Sequence, residues 1–383
     1  MSERLRILQI VAASTNDAVP RNTVWIRNLH DPLVQLRHDV LLVPAEDGRR
    51  AMVAGDDQAR ARFSEEVLGT FRREHAKRPF NLLFAYLMDG MIEPEVIDEI
   101  RSAGVPTCNF SCNNVHQFDL VDGLSPHFDF NLHSERDVGG KFKAIGATPL
   151  WWPMAANPCY AHPVDVPRRF GASFVGANYG LRAEYALHLL DNGVDLHLFG
   201  PRWTLVSRLA RAKRHIRRDL TLARALIAPS LQAQVRATAE VARIDAARRL
   251  AIEYHGSVHQ PISDDEVISL YSSSQVSLGF MEVFDQHDPS RSVLQHLHLR
   301  EFEAPMSGAL YLTNYSDELA EFFEPDKEVL VWRNQHELLE KTQYYVEHPE
   351  AGDEIRAAGR KRALACHSYE QRFKQLFKEI GLG

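Results

Sequence analysis

The feature of this sequence that most constrains its fold is a repeated alternation of short apolar runs with amphipathic segments. Arg6–Val11 and Asp39–Pro44 are rich in aliphatic residues, and Thr23–Leu36 between them spaces its apolar residues as a helix does. The alternation continues through Asn81–Tyr86 and Val105–Phe110. Buried strands separated by helices are typical of a parallel sheet that is covered on both faces. The sequence therefore predicts an α/β fold.

The alternation stops in a proline-rich stretch and then starts again. Ala155–Arg168 contains three prolines and no hydrophobic periodicity, which is typical of a linker. Strand-like runs resume at Ala172–Val175, Asp195–Phe199 and Gln275–Phe280. A chain of 383 residues also has room for two domains at roughly 100–200 residues each. We therefore predict two doubly wound α/β domains.

The linker and the strand pattern set the predicted domain boundaries. We expect a first domain over 1–165, a second over 166–352 with a helical insertion at 203–249, and C-terminal helices over 353–383 that pack back across both. The start of the insertion is strongly basic, with eight cationic residues: Arg202, Arg208, Arg211, Lys213, Arg214, Arg217, Arg218 and Arg224. A basic amphipathic helix can lie on an anionic membrane surface. The alternative is an ordinary solvated helix face.

Composition excludes several classes of protein. Hydrophobic residues make up 45% of the chain and charged residues 25%, as in globular rather than disordered or fibrous proteins. The formal net charge of −7 argues against nucleic acid as a partner. No apolar run approaches the roughly 20 residues of a membrane span, and we expect no signal peptide. Four cysteines without paired spacing predict free thiols and a cytoplasmic protein. If the basic insertion does bind a membrane, we expect a peripheral contact with its inner face.

Two segments of the predicted second domain carry residues suited to a phosphate or a ribose. In the turn FVGANYGLR, Gly176 would let the backbone approach an anion, and Arg182 offers a fork of hydrogen-bond donors. In the run REFEAPMSGALYLT, Arg300 and Glu303 are three residues apart and would share one face of a helix. A carboxylate there can accept hydrogen bonds from both hydroxyls of a diol. An ordinary turn and a surface ion pair are the alternatives.

The second of these runs resembles the signature of the CgeB-type, or spore-maturation-like, glycosyltransferases, which are relatives of glycosyltransferase group 1. The similarity rests on Arg300–Glu303, Pro305, Gly308 and Leu312–Thr313, and a softer similarity extends to Pro153–Pro158 in the first half. The resemblance implies a GT-B fold, in which two Rossmann-like domains face a cleft. The second domain would hold the nucleotide sugar and the first domain the acceptor.

The resemblance also implies an activity. The expected reaction is hexosyl transfer from a UDP- or GDP-linked sugar to a glycan, lipid-linked or protein acceptor, as in polysaccharide biosynthesis. Two alternatives remain open. One is a sugar-nucleotide 2-epimerase of the same fold. The other is a non-catalytic GT-B binding or coat protein. It is supported by Gln295 and Asn113, which replace residue types that the relatives use.

Donor-site roles follow from the same resemblance. Glu303 corresponds to the second glutamate of the group 1 motif and is expected to bind the nucleotide ribose, whereas Gln295 replaces the first glutamate. Glu282 and Asp285 are candidates for orienting the donor sugar beside Gln295, or are simply part of a polar loop. The other expected contacts to the nucleotide and its diphosphate are Gly176, Asn178, Arg182, Gly256, Arg300, Ser307 and Gly308.

Candidate catalytic residues lie in the predicted first domain. His116 closes the run CNNVH after a strand, and the ordinary pKa of histidine suits a general base; a histidine at the core edge is the alternative. Asp89, at a strand end, is a second candidate base, and Asn113 stands where group 1 relatives often carry a histidine or an aspartate. The histidines at 296 and 298 lack the spacing of a defined ligand set, so we expect no metal and no cofactor besides the donor substrate.

Overall fold

A computed structural model of the chain describes residues 4–13, 18–203, 220, 231–285 and 292–383. The described strands are β1 Arg6–Val11, β2 Asp39–Pro44, β3 Leu82–Ala85, β4 Thr107–Ser111, β5 Phe130–His133, β6 Pro149–Trp151, β7 Phe170–Val175, β8 Leu196–Phe199, β9 Val258–His259, β10 Ser274–Leu278, β11 Glu282–Phe284, β12 Val293–Gln295, β13 Tyr311–Asn314 and β14 Leu330–Trp332. Two six-stranded sheets, ordered β2-β1-β3-β4-β5-β6 and β14-β13-β10-β7-β8-β9, contain all of them except the β11-β12 pair.

All described pairs within the two large sheets are parallel. The carboxyl ends of the strands in each sheet therefore lie at one edge, where ligands of open α/β sheets bind. This architecture confirms the predicted α/β fold with two Rossmann-like domains. The antiparallel hairpin β11-β12 is an addition that the sequence pattern did not predict, because each of its strands has only three residues.

Helices connect the strands and cover both sheets. The described α-helices are α1 Asp31–Gln35, α2 Glu46–Ala54, α3 Asp57–Lys77, α4 Pro94–Ser102, α5 Gly139–Ala144, α6 Arg182–Asp191, α7 Leu231–Ile252, α8 Asp264–Ser273, α9 Arg300–Met306, α10 Asp317–Phe322, α11 Gln335–Glu347, α12 Asp353–Cys366 and α13 Tyr369–Glu379. In the predicted insertion, α7 is helical as expected. Residues 204–219 and 221–230, which carry most of its basic side chains, lie outside the described residues.

The predicted helix over 23–36 is not one regular α-helix. A π-helical turn at Ile26–His30 precedes α1. Pro32 has no backbone N–H, so it cannot donate the α-helical hydrogen bond to the carbonyl of Asn28. The Asn28 side chain instead donates to the Val24 carbonyl at 2.9 Å. This irregular segment contacts the second domain, where the Thr23 amide donates to Asp264 at 2.7 Å and Arg27 pairs with Asp265 at 2.8 Å.

The two domains share packing across their boundary. Buried residues from both halves, among them Trp25, Met154, Phe302 and Tyr369, belong to one continuous apolar core. The last helix, α13, lies against the first domain, with the Phe373 ring 5.2 Å from that of Trp152. The chain therefore crosses back over the first domain after it completes the second sheet.

Candidate active site

A cleft of about 340 Å³ lies between the two domains. Val24, Trp25 and Met154 supply an apolar wall, and Arg300 and Glu303 supply a charged one. Both charged residues lie in the first turn of α9. The cleft therefore combines a flat apolar surface with a cation and a carboxylate.

Glu303 is partly buried in this cleft. The hydroxyl of Tyr271 donates a hydrogen bond to its Oε2 at 3.2 Å. Burial raises the pKa of Glu303 to about 7, and the negative charge of Asp264 adds to the effect. The Glu303 carboxylate is thus a strong hydrogen-bond acceptor at neutral to alkaline pH, as recognition of a diol requires.

Arg300 lies against the loop after β7. Its guanidinium is 5.3 Å from the centre of the Phe174 ring, and its Nη1 is buried without a hydrogen-bond partner among the described residues. Gly176 makes this position possible: its φ is +152°, and a Cβ there would come within 2.9 Å of Arg300 Nη2. A desolvated guanidinium with unused donors is suited to a phosphate oxygen.

Arg182 also borders the cleft, but its donors are largely occupied. Its guanidinium donates to the carbonyl oxygens of Ala177 at 2.9 Å and Phe280 at 2.8 Å, and it stacks 3.6 Å from the centre of the Tyr179 ring. Burial lowers its pKa to about 10. Arg182 therefore holds the loop after β7 in place. Asn178 lies in that loop next to the cleft wall, and its backbone N–H donates to the Pro201 carbonyl at 3.1 Å.

Ser307 and Gly308 do not reach the cleft wall that Arg300 and Glu303 form. They end α9 at its opposite end, where the Ser307 amide donates to the Glu303 carbonyl at 2.9 Å. Gly308 has a φ of +77°, and a Cβ there would meet Pro163 at 3.1 Å. Both residues turn the chain toward the amino end of β13, at the end of α9 opposite to Arg300.

Gly256 likewise lies at the far edge of the second sheet. It belongs to a short 3-10 turn that precedes β9, whereas the loop that follows β9 brings Pro261 and Ile262 into the cleft. In a parallel sheet only the segments that follow strands reach the ligand-binding edge. Gly256 is therefore not among the residues that line the cleft, whereas Pro261 and Ile262 are.

The candidate catalytic residues of the first domain separate in space. Asn113 lies on the cleft wall with a left-handed φ of +67°. The Asp89 carboxylate accepts hydrogen bonds from the backbone amides of Gly123 at 2.9 Å and Leu124 at 2.8 Å, so it shapes a loop outside the cleft wall. His116 also lies off that wall, and burial lowers its pKa.

The donor-sugar candidates lie on or beside the β11-β12 hairpin. Glu282 and Gln295 face each other in register across it. Glu282 accepts a hydrogen bond from the hydroxyl of Tyr185, and Gln295 is exposed, so neither lines the cleft. Asp285 follows β11 at the border of residues 286–291, which lie outside the described residues.

His298 is a cleft residue that the sequence did not single out for the donor site. Its Nε2 pairs with the Tyr179 hydroxyl at 2.9 Å, and its Nδ1 is 3.6 Å from Glu301. Burial, together with Arg300 and Arg182, lowers its pKa well below the ordinary value. Its neighbour His296 is 3% exposed, and its ring lies 5.2 Å from that of His116 in the first domain, with the two planes tilted by 44°. The alternating HLH run was the available signal, but the sequence does not reveal which histidine faces the cleft.

Neither a metal cluster nor a membrane span occurs in the described part of the chain. No group of three or more His, Cys, Asp or Glu side chains there is arranged to hold a metal ion. None of the described helices combines the length and the apolar character that crossing a membrane requires.

Comparison with known proteins finds a family match in the second half of the chain. Residues 182–378 match the family described as glycosyl transferase-like. No curated protein matches the sequence. The family match does not separate CgeB-type proteins from their relatives, so that finer assignment stays a prediction.

Solved structures share the whole fold at low identity. The chain is similar to sucrose-phosphate synthase from Thermosynechococcus elongatus, with a TM-score of 0.58, 13% identity, and coverage of 98% of this chain and 99% of that one. It is similar to HepE from Anabaena in complex with UDP and glucose, with a TM-score of 0.57, 10% identity, and coverage of 99% and 100%. It is also similar to a glycosyltransferase from Rickettsia africae, with a TM-score of 0.56, 10% identity, and coverage of 98% and 97%. These likenesses confirm the predicted GT-B fold.

Proposed function

The chain belongs to the glycosyl transferase-like family, and from this premise we propose that it transfers a sugar from a UDP-linked donor to a glycan, lipid-linked or protein acceptor. The observation that carries the proposal is the pair formed by Arg300 and Glu303 on one turn of α9, facing the cleft. Glu303 would accept hydrogen bonds from the two ribose hydroxyls. Arg300 would bind the diphosphate.

The charged residues of the cleft suit a reaction in which a nucleoside diphosphate is the leaving group. Transfer breaks the bond between the anomeric carbon and a diphosphate oxygen, forms a bond from that carbon to the acceptor oxygen, and releases the acceptor proton. Negative charge then grows on the diphosphate. A buried guanidinium with unused donors, such as that of Arg300, stabilises this charge more than water would. Gly176 allows the diphosphate and Arg300 to share one narrow space.

Other cleft residues supply the surroundings of the donor. Pro261 and Ile262 offer an apolar surface for a flat base, and the complex of HepE with UDP supports uridine as that base. The His298 imidazole is uncharged at neutral pH because its pKa is lowered, so it can exchange one hydrogen bond with a sugar hydroxyl. Asn113 faces the donor from the first domain and is the proposed contact on the acceptor side. We assign no step to Asp89 or His116.

Nucleotide binding tests the proposal. Isothermal titration with UDP should give saturable binding to the wild-type chain. Arg300→Gln and Glu303→Gln should each weaken it by about tenfold or more, the effect of losing a charge-assisted hydrogen bond. Glu65→Gln, on the exposed surface of α3, is the matched control and should bind as wild type does. Absence of UDP binding, or binding that neither variant weakens, would refute the proposal.

Product analysis then separates transfer from the alternatives. The chain is incubated with UDP-glucose, UDP-galactose or UDP-N-acetylglucosamine, with and without alkyl glycosides, and the products are separated by chromatography. A new glycoside, or UDP with free sugar, is expected of a transferase. An epimerised nucleotide sugar formed without acceptor would identify a 2-epimerase. Intact UDP binding without any turnover would favour a binding or coat protein.

A further inference from the structure

A second cavity, of about 260 Å³, adjoins the cleft on the side of the first domain. It lies where the chain leaves β3 and β4, at the carboxyl ends of these strands. Cys112 and Asn113 line both the cavity and the cleft, so the two spaces meet at these residues. A molecule in the cavity could therefore present one of its atoms to a donor held by Arg300 and Glu303.

We propose that this cavity binds an apolar aglycone, so that the acceptor is an amphipathic glycoside whose sugar hydroxyl reaches the cleft at Asn113. The inference rests on the proposed function and goes beyond it by naming the chemical class of the acceptor. Either an alkyl chain or an aromatic ring would supply the apolar group that the cavity requires. A purely polar glycan would not.

The walls of the cavity carry the argument. Six of the lining side chains are apolar or aromatic: Met52, Val53, Tyr86, Met88, Leu120 and Val121. The Tyr86 hydroxyl is already paired with the sulfur of Cys112 at 3.1 Å, so it presents its ring rather than an unused donor. Arg49, Ser111 and Gln117 supply a cation and polar atoms to the same lining. Ligand sites usually combine such an apolar lining with a few polar groups that fix orientation.

Two lining residues expose apolar surface to solvent. Val53 is 72% exposed and Leu120 is 36% exposed, and both line the cavity. Apolar surface grouped at a cavity is typical of a binding site, whereas scattered exposed residues need no explanation. An apolar group that enters the cavity would cover these side chains and leave its sugar at the polar end.

The experiment measures how much an apolar aglycone adds to binding. With UDP present at saturation, the wild-type chain is titrated with methyl, n-hexyl and phenyl β-D-glucopyranosides below any micelle concentration. The hexyl or the phenyl glucoside should bind at least tenfold more tightly than the methyl glucoside, the effect of removing about two methylene groups from water. A larger gain with hexyl indicates an alkyl aglycone, and a larger gain with phenyl indicates an aromatic one; both support the proposal.

Matched variants place the effect in the cavity. The double variant Val53→Asn and Leu120→Asn should reduce the preference for the apolar glucosides to threefold or less. Val34→Asn, 50% exposed on α1 of the same domain and away from the cavity, should retain it. UDP affinity should stay unchanged in both, since these side chains do not line the cleft.

Several results would overturn the inference. These are equal binding of all three glucosides, no binding of the apolar ones, or a preference that survives in the double variant. If a second copy of the chain covers Val53 and Leu120 instead, the double variant will change the oligomeric state in sedimentation and leave glucoside binding as it was, which also refutes the proposal. Failure of the wild-type chain to bind UDP would refute the proposed function itself, so the two failures are distinguishable.

Discussion

Replacing Glu303 by glutamine should stabilise the folded chain at alkaline pH while it weakens nucleotide binding. The Glu303 carboxylate is partly buried, accepts a hydrogen bond from Tyr271 and lies near the negative Asp264. Glutamine keeps the shape and the acceptor oxygen of the side chain but carries no charge. The variant therefore removes the electrostatic cost of the ionised carboxylate in a folded chain without ligand.

The pKa sets the size and the pH range of this effect. Burial raises it from 4.5 to about 7. Since a tenfold change in proton affinity corresponds to about 1.4 kcal/mol, ionisation costs the folded state as much as about 3 kcal/mol above pH 7. The cost is absent below about pH 4.5, where folded and unfolded chains both carry the neutral acid; it grows between about pH 4.5 and 7 and is constant above that range. Water in the cleft screens part of it, so about 3 kcal/mol is the upper value.

Urea unfolding at two pH values measures the effect. At about pH 8, Glu303→Gln should raise the free energy of unfolding by up to about 3 kcal/mol, and at about pH 5 by about 1 kcal/mol or less. The exposed Glu65→Gln serves as the control and should change stability little at either pH. Titration with UDP at pH 8 should show the opposite sign, with affinity reduced about 10- to 100-fold, because a hydrogen bond to a charged group contributes about 1.5–3 kcal/mol.

Opposite changes in stability and affinity are the signature of a residue kept for function at a cost in stability. A merely structural glutamate would lose stability when it is replaced. The reasoning is refuted if Glu303→Gln is equally stabilising at both pH values, or if it destabilises the chain at pH 8. It is also refuted if the variant binds UDP as tightly as the wild type does.

Three further predictions concern the same interface. Asp264→Asn should lower the pKa of Glu303, because it removes a nearby negative charge, and should move the acid limit of UDP binding to lower pH in titrations between pH 5 and 8. Gly176→Ala should weaken UDP binding by tenfold or more in the same calorimetric assay, since a Cβ there would displace Arg300. Burial lowers the pKa of His296, so the unfolded state binds more protons below pH 6.5 and stability should fall on acidification; His296→Gln should reduce that slope in urea unfolding between pH 5 and 7.

Much of the fold could be predicted because its signals are local. Apolar runs of four to six residues mark most strands of the two large sheets. The hairpin β11-β12 has strands of three residues, too short to produce a periodic signal. The π-helical turn before α1 depends on how Pro32 and Asn28 redistribute backbone hydrogen bonds, which hydrophobic spacing does not record.

The candidate site could be predicted only in part, and strand direction explains the difference. Gly176 follows β7, and Arg300 and Glu303 begin a helix; the structure places all three at the cleft. Ser307 and Gly256 belong to similar polar turns, but each lies on a segment that leads into a strand. A turn before a parallel strand and a turn after it have similar compositions. In the folded chain, however, the two kinds of turn lie at opposite ends of the strands.

The two arginines of the cleft show what only the folded chain can distinguish. Arg182 and Arg300 each begin a helix, and in sequence each is a fork of donors suited to phosphate. In the structure, both terminal nitrogens of Arg182 donate to carbonyl oxygens and only its Nε lacks a partner among the described residues, whereas Arg300 keeps a terminal nitrogen, Nη1, without one. A guanidinium committed to backbone carbonyls has less to offer a ligand than one whose donors are unused. The distinction depends on which carbonyls come within 3 Å, and those of Ala177 and Phe280 are brought together only when the loop after β7 meets the end of β10.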